Sequence, residues 1–369
     1  MFLHVVHPDP KFPVHIQSLF ESVEPGGHVF TFYQASNRLE SLPSGFKNFE
    51  CSESLRQIVE SRDDWEGIIM HGVLENIFPY VSILPKVTVA WFFWGFELYK
   101  PAFRNNKGLY GSLTSNLVKS KSFRKNVVHH YQKLCKRFKK YESPMLPHVD
   151  IVVTPFKEDF DLFKKLGIFT DRHRWLNAPT LTLSRMVDLG SKVKSAENDL
   201  DILVGNSAYP ANNHLEVFKK LQDYDLSGRK VVVPLTYGNK EYRTKILELG
   251  QSMLGDSFDP IIEHLPLPVY LRKVDSCGIV IMNHYRQQAV GNITNALWQG
   301  KTVYLGESSL LNGYLNLGFP VRSFKNSFKL DRKPADLQEI RSCRNRLESF
   351  VGERVSEENI AHLLNTLRT

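Results

Sequence analysis

Residues 277–305, CGIVIMNHYRQQAVGNITNALWQGKTVYL, constrain the fold of this chain more than any other stretch. An apolar run, Gly278 to Met282, enters a polar turn that holds Arg286, Gln287 and Gln288. Gly291 and Asn292 follow, then a helical run from Ile293 to Gln299, a stop at Gly300, and a second apolar run, Thr302 to Leu305. Strand, polar turn, helix and strand make a βαβ unit, which requires a parallel sheet covered by helices. Such a unit presents free backbone N–H groups at a helix N-terminus beside the carboxyl end of a strand, where anions bind. A permanently charged guanidinium in the same turn suits a diphosphate. An ordinary βα loop with a solvated arginine is the plainer reading of the segment taken alone.

The same alternation recurs on both sides of it. FLHVVH, HVFTFY (28–33), WEGIIMHG (65–72), VTVAWFFWG (87–95), VDIVVTP (149–155) and WLNAP (175–179) read as strands of a first half. After the polar stretch 184–199 the pattern restarts with DILVGNS (201–207), RKVVVPLTYG (229–238) and DPIIEHLP (259–266), separated by helical runs. The expected architecture is α/β, two Rossmann-like domains facing each other across a cleft. Their expected bounds are 1–185 and 200–369, with a linker at about 186–199 and a C-terminal helix free to pack on either half. A chain of 369 residues, 42% hydrophobic, is long enough for two cores.

Composition narrows the setting. Four cysteines (51, 135, 277 and 343) form no CxxC pair and no metal-ligand spacing, which points to a reducing compartment and away from structural zinc. The most apolar run, Val87 to Phe96, is far short of the roughly 20 residues that span a bilayer, and no leader is apparent, so a soluble intracellular protein is expected. Charge is uneven: Leu98 to Tyr141 carries twelve Lys or Arg and no acidic residue. Within it Phe123, Val127, Tyr131, Leu134, Phe138 and Tyr141 recur at helical spacing. A basic amphipathic segment, 117–141, fits an anionic membrane surface, against the alternative of a core-packed helix with a solvated face. No nucleic-acid motif accompanies it.

Ligands of doubly wound sheets sit outside the carboxyl ends of strands. In the second half that rule selects Gly205, Asn206, Ser207, Tyr237, Gly238, Glu263, His264 and the run Arg286 to Asn292. Glycines there let backbone approach a phosphate, Ser207 offers a hydroxyl, and Glu263 can accept from a ribose or base. In the first half it selects Asp9, His71 and Trp94-Gly95-Phe96-Glu97. Asp9, His71 or Glu97 can serve as a general base. Each residue by itself is more ordinarily a turn, cap or core residue. The chain lacks GxxxxGK[ST], GxSxG, HExxH and GxGxxG, which excludes several familiar mechanisms. DxD occurs at Asp159/Asp161 and Asp199/Asp201, in neither case after a buried strand, so no essential metal and no cofactor are expected.

At FFWGFELY (92–99), ILVGNS with NNHLE (202–207, 212–216), KVVVPLTYGN with EY (230–239, 241–242) and the RQQ turn with its glycine (286–291), the sequence resembles the bacterial 4-acetamido-4,6-dideoxygalactosyltransferases, glycosyltransferase family 56. The resemblance spans most of the chain and is strongest from 200 to 306. It implies a metal-independent GT-B enzyme that moves N-acetylfucosamine from a TDP-sugar to a polyprenyl-diphosphate-linked glycan, as in enterobacterial common antigen synthesis. It implies donor contacts at Gly205, Asn206, Ser207, Tyr237, Gly238, Arg286, Gln287, Gln288 and Gly291, with His4, Asp9, His71 and Gly72 also on matching positions. It further implies peripheral binding to the cytoplasmic face of the inner membrane through 117–141, with no nucleic acid as partner. The family pattern WGxDLY has Glu97 here in place of Asp, one methylene longer. TDP against UDP, and inversion against retention, stay open.

Overall fold

The computed structural model describes residues 1–7, 12–33, 44–49, 51–72, 80, 82–95, 97–99, 108–119, 146–191, 199–330 and 335–369. Asp9, Phe96, Cys135, positions 192–198 of the expected linker and nearly all of the basic segment, 120–141, lie outside them. The chain divides into two compact units. The first takes the described residues within 1–99, 146–185 and 350–369; the second takes those within 108–119, 186–349.

In the first unit seven strands form one parallel sheet: β1 (Phe2–Val6), β2 (His28–Tyr33), β3 (Phe46–Phe49), β4 (Gly67–His71), β5 (Val89–Phe92), β6 (Ile151–Val153) and β7 (Arg174–Leu176). Their order is β3-β2-β1-β4-β5-β6-β7. β1, β4, β5 and β6 are buried at every residue, which is why they read as continuous apolar runs. Phe2, Val6, Phe20, Phe30 and Phe92 join Ile360, Leu363 and Leu364 of the terminal helix Glu353–Leu367 in one core. That helix packs on helix Pro13–Val23, so the chain's end closes over its beginning.

The second unit repeats the plan with β8 (Asp201–Val204), β9 (Val231–Pro234), β10 (Phe258–Ile261), β11 (Cys277–Met282), β12 (Thr302–Leu305) and β13 (Val321–Ser323), all parallel, in the order β10-β9-β8-β11-β12-β13. In each sheet the order reverses once, between β1 and β4 and between β8 and β11. Those two gaps are the switch points where a crevice opens at the carboxyl edge. Helix Ser112–Lys119 belongs to this unit and packs on helix His214–Leu221. No helix among the described residues is long and apolar enough to cross a membrane. Cys51, Cys277 and Cys343 are free thiols.

Candidate functional site

The loops that leave β8 and β11 meet at the second switch point. Asn206 is the joint: Gln288 Nε2 donates to its Oδ1 at 3.0 Å, and its own Nδ2 donates to the Tyr237 hydroxyl at 3.4 Å. Ser207 Oγ donates to the same Oδ1 at 3.4 Å. Three of the four loops picked from the sequence are therefore joined through side chains. The fourth, Glu263 and His264, is exposed after β10 on the same parallel edge. Tyr237 is half exposed and stands edge-on to Tyr209, ring centroids 6.4 Å apart, giving the rim two aromatic faces.

Arg286, Gln287 and Gln288 occupy the turn before helix Val290–Trp298. Ala289 enters that helix in the left-handed conformation, φ 61°, and no side chain caps it. Ile293 N bonds back to Ala289 O, which leaves the N–H groups of Val290, Gly291 and Asn292 with no partner inside the helix. Uncapped amides, the positive end of a helix dipole and a half-buried arginine lie together here, a combination that suits an anion.

Beneath this rim lies a layer of asparagine and histidine that sequence reasoning did not assign. Asn212 is fully buried; its Oδ1 accepts from Asn206 N at 2.9 Å and its Nδ2 donates to Ser207 O, Ser207 Oγ and Tyr209 O. With the amide so fixed, His284 Nε2, 2.9 Å from Asn212 Oδ1, must carry the proton, and His284 Nδ1 holds a lone pair. Burial, then the charges of Arg286 and His214, hold the His284 pKa well below its usual 6.5. The neighbouring Asn213 donates to Asn283 O and accepts from Gly111 N, each at 2.9 Å. The NNHLE motif thus braces the loops of both central strands, and its only visible signal was the run of polar residues opening an apolar helix.

Two glycines there are required by the packing of the chain itself. A Cβ on Gly205, φ +67°, would stand 2.6 Å from Asn212 Oδ1, and one on Gly238, φ +123°, 2.6 Å from the Ala208 carbonyl carbon. At both positions the chain itself fills the space that a side chain would take.

In the first unit, His71 ends β4 at the switch point but is fully buried, stacked on Phe92, with burial holding its pKa down at about 3. Gly72, φ +66°, packs under the Trp94 ring. Glu97 is buried and accepts from Trp94 N at 3.2 Å, so its carboxylate closes the turn it belongs to. Tyr99 donates to buried Asp159, which gives the first DxD aspartate a structural partner. His7, at the carboxyl end of β1 and edge-on to Trp94, is a half-buried imidazole at the switch point that the sequence reading passed over. The described residues contain no group of three His, Cys, Asp or Glu able to hold a metal ion.

Residues 157–303 match the family described as 4-alpha-L-fucosyltransferase, glycosyl transferase group 56. Among solved structures the chain is similar in fold to OtsA (TM-score 0.61, 9% identity, covering 100% of this chain and 99% of that one). It is likewise similar to sucrose-phosphate synthase from Thermosynechococcus elongatus (0.55, 10%, 100% and 95%) and to HepE from Anabaena in complex with UDP (0.54, 10%, 100% and 97%). The chain is a glycosyltransferase of GT-B type, and the group 56 resemblance read from its sequence is borne out over residues 157–303.

Proposed function

We propose that this enzyme moves a deoxy-amino sugar of the N-acetylfucosamine kind from a TDP-sugar to a polyprenyl-diphosphate-linked glycan in bacterial surface polysaccharide synthesis. The observation that carries the donor half is the shared network of Asn206, Gln288 and Tyr237 beside the uncapped helix Val290–Trp298. Arg286 and the amides of Val290 to Asn292 hold the diphosphate and stabilise charge as the sugar leaves. Tyr237 and Tyr209 offer faces for the base, and Glu263 a carboxylate for ribose. The acceptor binds the first unit, where Glu97, His71 or Asp9 takes its hydroxyl proton if the anomeric centre inverts. The basic segment 117–141 docks on the cytoplasmic face of the inner membrane, where a lipid-linked acceptor is presented. Uracil in place of thymine is the second reading, favoured by the UDP held in the similar HepE structure.

Titration calorimetry with TDP and UDP, with and without EDTA, tests this on the wild type and Arg286→Ala. Binding that survives EDTA and is lost in the variant is the expected result, and the tighter nucleotide names the base. Equal affinity in wild type and variant would remove Arg286 from the site.

A further inference from the structure

Residues 108–119 lie in sequence between β5 and β6, two strands of the first sheet, yet by their contacts they belong to the second unit. Leu109 is buried, Leu117 and Val118 pack against the second core, and helix Ser112–Lys119 lies on helix His214–Leu221. Two side chains at the start of helix His214–Leu221 clamp this insert. Glu216, in the first turn, accepts from Thr114 N at 2.9 Å and from Thr114 Oγ1 at 2.5 Å. A Cβ on Gly111 would overlap Glu216 at Oε1, Cδ and Cγ, so it takes a glycine there to let the carboxylate reach Thr114.

Asn213, directly before that helix, is fully buried. Its Oδ1 accepts from Gly111 N at 2.9 Å, and its Nδ2 donates to Asn283 O at 2.9 Å and faces Leu109 O and Ala211 O, each at 3.4 Å. A donor on one side and carbonyls on the other leave the amide a single orientation. Gly111 N and Leu109 O come from the insert, whereas Asn283 is the first residue after β11 and begins the loop that carries Arg286 and Gln288. The exit of β12 holds the same loop from another side: a Cβ on Gly306 would stand 2.6 Å from His284 O and 2.9 Å from Asn283 C. Among the described residues, the non-glycine residues at positive φ are Asn213 (51°) and Ala289 (61°). The first clamps the start of this loop and the second ends it. Strained backbone persists where its surroundings fix it, and such positions gather at functional sites.

We infer that Asn213 and Glu216 are positioning residues for the donor nucleotide, and that they act through the insert 108–119, which when docked holds the β11 exit loop in its binding form. This rests on the reading that Arg286, Gln288 and the amides after Ala289 hold the donor. In the docked state Gly111 N–H and Leu109 C=O fix the Asn213 amide, and that amide fixes Asn283 O. When the insert leaves, the amide loses both of those partners and can turn, and the carbonyl that begins the loop loses its donor. The loop that carries Arg286 then has to be ordered at the moment the nucleotide binds, which costs affinity. A ligand that binds the docked form better must favour docking by the same factor, because coupling between two equilibria is reciprocal. Nucleotide binding therefore tightens helix Ser112–Lys119 on the second unit, and loosening that helix weakens nucleotide binding.

The test is hydrogen exchange on the full chain, read at peptides covering 108–119 with and without saturating TDP or UDP, beside calorimetry with the same nucleotides. In the wild type, bound nucleotide should slow exchange at 108–119 about 10-fold, within the range typical of coupled sites. Helix Glu353–Leu367 of the first unit should keep its rate. Equal slowing in both would be general stabilisation by a bound ligand and would overturn the coupling. Gly111→Ala pushes Glu216 off Thr114 and alters no side chain of the β8 or β11 loops; it should weaken nucleotide affinity, by no more than the factor read from exchange. Thr114→Val, which removes one donor to Glu216, should lose less. A clamp with no part in binding would leave affinity intact in both variants and exchange at 108–119 indifferent to nucleotide. Exchange unchanged by a nucleotide that does bind overturns the inference and leaves the donor reading standing, whereas no binding of either nucleotide to the wild type removes both. The wild-type comparison decides even where a variant fails to fold.

Discussion

At φ +67°, Gly205 holds a backbone conformation that costs other residues about 1–2 kcal/mol, and its missing Cβ leaves room for Asn212 and His214. Gly228, φ +75°, has the same conformation with nothing within 4 Å of the absent Cβ. The pair separates two effects. Gly228→Ala should lower stability by the conformational cost alone, while Gly205→Ala should lose more and also weaken nucleotide-sugar binding, because Asn212 anchors Asn206 and Ser207. Urea titration and calorimetry check this; equal losses at the two sites would deny the crowding. Asn212→Leu should be worse still. It strips partners from the buried His284 Nε2 and from the Asn206 amide, each worth about 1–3 kcal/mol when orphaned. The sequence located the loops that hold Asn206, Ser207, Arg286 and Gln288, because polar residues directly after a buried apolar run mark the carboxyl end of a strand. Asn212 was quoted only as part of a motif. Its use depends on five hydrogen bonds to groups up to 72 residues away, which no local pattern records.

Helix Ser112–Lys119 has eight residues, too few to persist in water by itself. Glu216 holds it: one carboxylate oxygen accepts from Thr114 N at 2.9 Å, the other from Thr114 Oγ1 at 2.5 Å. A carboxylate at a helix N-terminus also meets the dipole favourably. Glu216→Ala should therefore cost about 1–2 kcal/mol, the range for a lost cap, and hydrogen exchange should show amides 112–119 opening while β8 and β11 stay protected. Protection unchanged at 112–119 would mean that Leu117 and Val118, packed on the second unit's core, suffice. The attachment reaches back across 102 positions, so the sequence reading, which works by neighbours, set this segment with the first half. Two of the four edge strands, β3 and β13, were missed for a related reason. β3 (Phe46–Phe49) and β13 (Val321–Ser323) are partly exposed and lack the continuous apolarity that revealed β1, β4, β8 and β11. Central strands announce themselves by burial on both faces; of the edges, β7 and β10 were read from their apolar residues and β3 and β13 were not.

Both units build their switch points over buried neutral histidines: His4, His28 and His71 in the first, His214 and His284 in the second. Burial is the largest cause of the lowered pKa in every one, and for His71 and His214 the value falls to about 3. The sign follows from linkage. The unfolded chain takes up protons near pH 6.5 and the folded chain does not until well below it, so the unfolded state binds more protons through that interval. Stability from these groups is complete above about pH 6.5 and drains as pH falls toward about 3. His214 Nδ1 against the Tyr242 hydroxyl and His284 Nε2 against Asn212 tie the second set into its loops, and His4, hydrogen-bonded to His28 and His71, ties the first together. Acid should therefore loosen both units and not one, and the loops after β8 and β11 should open before the edge-strand cores. Urea midpoints should hold from about pH 8 to about pH 6.5 and fall from there to about pH 5, while hydrogen exchange on peptides from each unit reports them separately. His71→Gln should flatten the dependence in the first unit and leave the second unchanged. A midpoint constant across that range would mean that these imidazoles gain protons as easily folded as unfolded, which the absence of solvent around His4, His71 and His214 does not allow.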